Sequence, residues 1–156
     1  MKNRFDALVA EFCERTGLPD AGEIAAGLPF EVNGVDTALH HDEHAGPHGV
    51  HVYTDFGPPP EAREATVYYE LLKRNFQGAA SREFQYGVSP ATGHVVRVGH
   101  LPLDGATVDL LGAEVVAAST EALEWRKTRF LCHLEDFEEE ESRQAREAHL
   151  IPGDTA

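Results

Sequence analysis

The chain has 156 residues, of which 42% are apolar, and 13 Lys and Arg stand against 27 Asp and Glu for a formal net charge of -14 at neutral pH. That is one globular domain's worth of sequence, and by size scaling it buries roughly two-thirds of its unfolded surface without needing staples. The charge opposes a polyanionic partner, whether nucleic acid or an anionic membrane surface, and no Lys/Arg stripe offsets it.

No apolar run approaches the roughly 20 residues of a membrane span. The opening MKNRFDALVAEFCERTG is broken by Asp6, Glu11 and Glu14, where a signal peptide would be continuously apolar, so a cytoplasmic location is expected. Within it Phe5, Leu8, Val9 and Phe12 fall on one helical face, with Asn3 as N-cap and Gly17 as terminator. Gly22 and Gly27 then loosen the chain. In LPFEVNGVDTALHH, Phe30 and Val32 alternate with Glu31 ahead of Asn33-Gly34, a strong hairpin signal that predicts strands one and two. Val50, Val52, Thr54 and Phe56 alternate as strand three, which Gly57 and three prolines end.

Helix two is predicted over EAREATVYYELLKRNFQG, acidic early and basic late as the helix dipole favours. Its apolar residues make two rows. Ala65, Tyr68, Leu72 and Phe76 form the one expected to face the core, while Val67 and Leu71 form a surplus row, expected to meet a partner. Phe84, Tyr86 and Val88 alternate in a second hairpin turned at Pro90-Ala91-Thr92-Gly93. Asp104 or Thr107 caps a third helix carrying Leu111, Val115, Ala118, Ala122 and Trp125. The predicted body is therefore residues 1–129, and 130–156 an acidic helical extension and tail, since all but Phe137 from Asp136 to Glu141 are acids. The order α-β-β-β-α-β-β-α lacks βαβ spacing, so the fold class is α+β with an antiparallel sheet and three helices.

Catalytic motifs are not evident. There is no GxSxG elbow, phosphate loop or GxGxxG fingerprint, and Ser81, Ser89 and Ser119 are not in turns that expose a nucleophile. Cys13 and Cys132 have no CxxC spacing and are expected as free thiols. Five of the nine histidines crowd between His40 and His51, with Asp42 and Glu43 among them. These are metal-ligand types, but the spacing is not HExxH, and His40 and His41 at a strand end point to opposite faces. The loop is expected to be a polar hairpin connection; neither metal nor cofactor is expected.

FDALVAEFCERTGLP, YYELLKRNFQG and VRVGHLPLDGATVDLLGAEVVAASTEALEW, spread over about residues 3 to 128, together resemble the class I type III secretion chaperones of the Tir chaperone (CesT-type) family. The resemblance implies a bacterial, cytoplasmic, non-enzymatic homodimer that binds the N-terminal segment of a secreted effector and keeps it soluble for export. It implies pairing through helix two, with Val67, Tyr68 and Leu71 at the dimer interface, and an effector segment that adds to the sheet and fills apolar grooves. Phe5, Leu8, Val9 and Phe12 exceed what a short helix on a small sheet has to bury, so one edge of helix one is expected to line a groove with Phe30, Val32, Phe84 and Tyr86. The competing readings are a metal-binding protein using the loop 40–51 and an unrelated interaction domain.

Overall fold

The computed structural model describes residues 2–41, 43, 48–81, 83–131, 143 and 146. Helix α1 (Lys2–Thr16) turns Phe5, Leu8, Val9, Phe12 and Cys13 inward, the spacing its sequence dictates. It already includes Asn3, the expected cap. Gly17 at φ 74° lets the chain leave the helix while the Leu18 amide donates back to the Cys13 carbonyl at 3.1 Å, a Schellman closure. The glycine-flanked stretch that follows, expected as loop, forms a short helix α2 (Ala21–Ala25) because Ile24 is drawn into the core.

Strands β1 (Phe30–Val32), β2 (Val35–His41), β3 (Gly49–Gly57), β4 (Phe84–Val88) and β5 (Val95–Pro102) build one antiparallel sheet in the order β1-β2-β3-β5-β4. Asn33 and Gly34, both at positive φ, make the β1–β2 turn of the primed kind that suits a twisted hairpin. A bulge at Asp55–Gly57 ends β3, with Gly57 at φ 103°. The prolines then lead through a 3-10 turn into α3 (Glu64–Gly78). Helix α4 (Val108–Thr128) starts on Thr107, whose hydroxyl accepts from the Leu110 amide at 3.2 Å.

Alternation places every second strand residue against the helices. This inner face splits into two apolar clusters. One gathers α1 and Ile24 with Leu39, Val50, Val52, Leu111 and Val115; the other gathers Val35, Phe56 and Val95 with Val67, Leu71, Tyr86, Ala122 and Trp125. Thr37, Thr54, Arg97 and Tyr86 are successive partners across β2, β3, β5 and β4, so a polar row crosses the sheet interior. Arg97, only 4% exposed, pairs with Glu114, sits 2.9 Å from Glu121, and stacks on the Phe84 ring 4.3 Å away. The two α4 carboxylates satisfy a charge whose isolated burial would be prohibitive.

The end of α4 departs from the expected helical extension. Arg129 and Phe130 adopt φ of 53° and 57°, which turns the chain and packs Phe130 and the buried Leu131 against the second cluster. The body thus reaches Leu131. The acidic run from Asp136 and nearly all of the expected tail lie outside the described residues, and Arg143 and Arg146 are helical.

Candidate partner-binding surfaces

Helix α3 presents two apolar rows, and their orientation reverses the sequence expectation. Val67 and Leu71 are buried against the second cluster, whereas Tyr69, Leu72 and Phe76 are exposed, Phe76 at 84%. Tyr68 is half-buried on the flank. The surplus row is therefore Tyr69, Leu72 and Phe76 at i, i+3 and i+7, one face of the helix. Within the protomer Val67 and Leu71 are core residues. The periodicity showed that one row was in excess but held nothing to say which.

Asn75 sets the angle at which α3 meets the sheet. Its amide nitrogen donates to the Tyr86 carbonyl at 2.9 Å and its carbonyl accepts from the Tyr86 amide at 2.8 Å, so one side chain occupies the outward hydrogen-bonding positions of edge strand β4 as a neighbouring strand would. Sequence reasoning did not single out this residue. The available signal was an asparagine inside a helix of better helix formers, a place where its side chain is expected to have another use. Arg74, on the same helix, lies 3.8 Å from the Phe130 ring, which ties α3 to the chain leaving α4.

The residues expected to form a groove are mostly interior. Phe5, Leu8, Val9, Phe12 and Phe30 belong to the first cluster and Tyr86 to the second; Val32 and Phe84 are half-buried at the margins. The expected surplus on α1 is absent because that helix packs on the sheet and touches both α2 and α4, which takes up all four apolar side chains. Tyr86 is committed further: its hydroxyl donates to Glu121, and burial first, then that hydrogen bond, push its phenol well above the usual range. A surface depression does lie beside α1, between Lys2, Asp6 and Ala10 and the α2 residues Ala21, Gly22 and Ala25.

At the other margin of the sheet β1 is an edge strand. Two-residue hairpin geometry pairs Val32 with Val35 and Phe30 with Thr37, leaving the Glu31 amide and carbonyl directed outward. Of the histidine-rich segment, His41 stacks on Phe5 with ring centroids 5.4 Å apart, and His40 is exposed on the opposite side. Asp42 and His44 lie outside the described residues. Among the described residues no three His, Cys, Asp or Glu side chains gather as a metal site, and no helix is long and apolar enough to cross a membrane. Cys13 is a buried free cysteine, and burial pushes its thiol up.

Comparison with known proteins gives these surfaces a context. The Tir chaperone protein (CesT) family profile matches residues 7–126. The chain belongs to that family. None of the curated proteins matches this CesT-family chain in sequence. Among solved structures, a chain of the ExsC-ExsE complex superposes with a TM-score of 0.65 at 18% identity, covering 81% of this chain and 94% of that one. A chain of the HopA1-SchA chaperone-effector complex gives a TM-score of 0.61 at 11% identity, covering 81% and 95%. At such identities these two matches establish the shared α+β fold of the CesT-family chain.

Proposed function

We propose that this protein is a type III secretion chaperone that binds the N-terminal segment of a secreted effector and keeps it soluble and export-competent in the bacterial cytoplasm. The family match over residues 7–126 carries the reading. The surfaces support it. The protein holds its secreted partner by contact and performs no chemistry on it. An open edge at Glu31 offers main-chain groups for strand addition, and apolar depressions offer pockets for alternate side chains. A net charge of -14 opposes indiscriminate aggregation and draws in a basic segment.

The working unit of this reading is a homodimer joined through α3. Tyr69, Leu72 and Phe76 supply its apolar contact, replacing Val67 and Leu71 in that role, with Tyr68 at the rim. An isologous two-fold contact sets this row against its own copy and removes three large apolar side chains from water.

The test is a search of the neighbouring genes for a large secreted protein, followed by co-expression with its N-terminal segment. A stable complex that survives size exclusion, and a segment that precipitates when expressed alone, are the expected results. A segment that stays soluble by itself and elutes apart from this protein contradicts the reading.

A further inference from the structure

The sheet face turned away from the helices has a pattern that the core does not explain. By register its side chains fall into three rows running across the strands. Glu31 faces Asp36, and Asp55 faces Val96, in the first; Ala38, Tyr53, Val98 and Gln85 make the second; His40, His51 and His100 make the third. A solvated antiparallel face is ordinarily polar throughout. Here the middle row is apolar across three adjacent strands, with Tyr53 exposed and Ala38 and Val98 half-buried.

Ala38, Tyr53, Val96 and Val98 line a depression of about 420 Å3, deepened where β4 contributes only Gly87 opposite Val96. Asp36 and Asp55 stand in its wall. His94 holds Asp55 through Nδ1 at 2.9 Å, while Asp36 is exposed beside the exposed Glu31. An apolar floor with carboxylates on one side selects by charge as well as by shape. A second copy set on this face about a two-fold axis would bring its own Asp36 and Asp55 onto this wall, and an acidic segment would meet the same repulsion.

We infer that this face docks a basic, apolar stretch of the secreted segment, its aliphatic side chains seated on Tyr53, Val96 and Val98 and its Lys or Arg side chains directed at Asp36 and Asp55. The inference rests on the chaperone reading and names what occupies one of its apolar depressions, on a surface separate from the α3 row. It also accounts for a face that is apolar in its centre without being core.

The experiment measures affinity of the protein for a short soluble peptide taken from the N-terminal segment of the secreted protein used in the co-expression test, by titration calorimetry at two salt concentrations. Val98→Asp and Tyr53→Ala are each expected to weaken binding by at least about tenfold. The double variant Asp36→Asn, Asp55→Asn is expected to bind more weakly at low salt and with a flatter salt dependence, because the charge contribution is gone. Circular dichroism and sedimentation establish that each variant keeps the fold and the oligomeric state of the wild type. The neutral pair serves if Val98→Asp does not fold. If the wild type binds the segment and the folded variants bind it equally well, this face is not the docking site, although the chaperone reading stands. A change in oligomeric state of folded Val98→Asp, with binding intact, assigns the face to a second copy and also overturns the inference. A wild type that binds no segment removes the chaperone reading itself.

Discussion

Replacing Asn75 with Leu tests whether a single side chain can act as the missing neighbour of an edge strand. The substitution keeps the size of the side chain and removes both hydrogen bonds to the Tyr86 backbone, 2.9 Å and 2.8 Å long and partly buried. Each neutral hydrogen bond contributes about 1 kcal/mol net, and a polar group left unsatisfied costs about 1–3 kcal/mol, toward the lower end where water has partial access. Losing two, less a fraction recovered from added apolar contact, comes to about 2–3 kcal/mol. For a domain of this size that lowers Tm by about 5–10 °C. Urea unfolding at fixed protein concentration reads it, with fluorescence of the only tryptophan, buried Trp125, as the probe. Asn75→Asp retains an acceptor for the Tyr86 amide but no donor for its carbonyl, and is expected to fall between Leu and wild type. A Leu variant within about 0.5 kcal/mol of wild type would show that the amide does not hold β4, and the account of how α3 is positioned would be wrong.

Three further outcomes are expected. Leu71→Asp places a charge in the second cluster and abolishes folding, whereas Phe76→Asp, at a position 84% exposed, folds normally and sediments as a monomer; equal loss of structure in both would reject the assignment of the two rows. Thr54→Val raises stability by about 1 kcal/mol in the same urea assay, because the buried Thr54 hydroxyl has no hydrogen-bond partner among the described residues; a decrease would indicate a partner that the hydroxyl does use. In a Cys132→Ser background, Cys13 resists thiol reagents in the folded protein at pH 8 and reacts promptly in denaturant. Burial raises its pKa, so the thiolate fraction is below that of a free cysteine and grows as pH rises; prompt labelling of the folded chain would refute the burial.

The sequence was legible where local chemistry and periodicity agreed. Asn33-Gly34 specified a turn with two positive φ values, Thr107 offered a cap, and the alternation through Val50, Val52, Thr54 and Phe56 was the inner face of a strand. The antiparallel α+β architecture followed from the order of these elements. What stayed hidden depended on tertiary partners. Helix α3 is apolar on two flanks, so period alone could not choose between Val67 with Leu71 and Leu72 with Phe76; packing on the sheet buries the first pair. Phe5, Leu8, Val9 and Phe12 were legible as one face of a helix, but how much of that face is buried depended on α2 and α4 closing over it. The outer rows of the sheet needed the strand register, which joins Ala38, Tyr53 and Val98 from three segments far apart in sequence.

The polar row through Thr37, Thr54 and Arg97 makes the interior a pair of compartments bridged by α4. Cooperative opening follows contiguous apolar packing, so a boundary of this kind divides a small domain into two units that can loosen at different free energies. One unit is α1 and α2 on the halves of β2 and β3 that carry Leu39, Val50 and Val52. The other is α3 and β4, closed by Phe130 and Leu131. Amide exchange would resolve them as two sets of protection factors. The half beside α1 and the half carrying Tyr69, Leu72 and Phe76 can then respond separately to an incoming chain, because no continuous apolar packing on the sheet face ties one to the other.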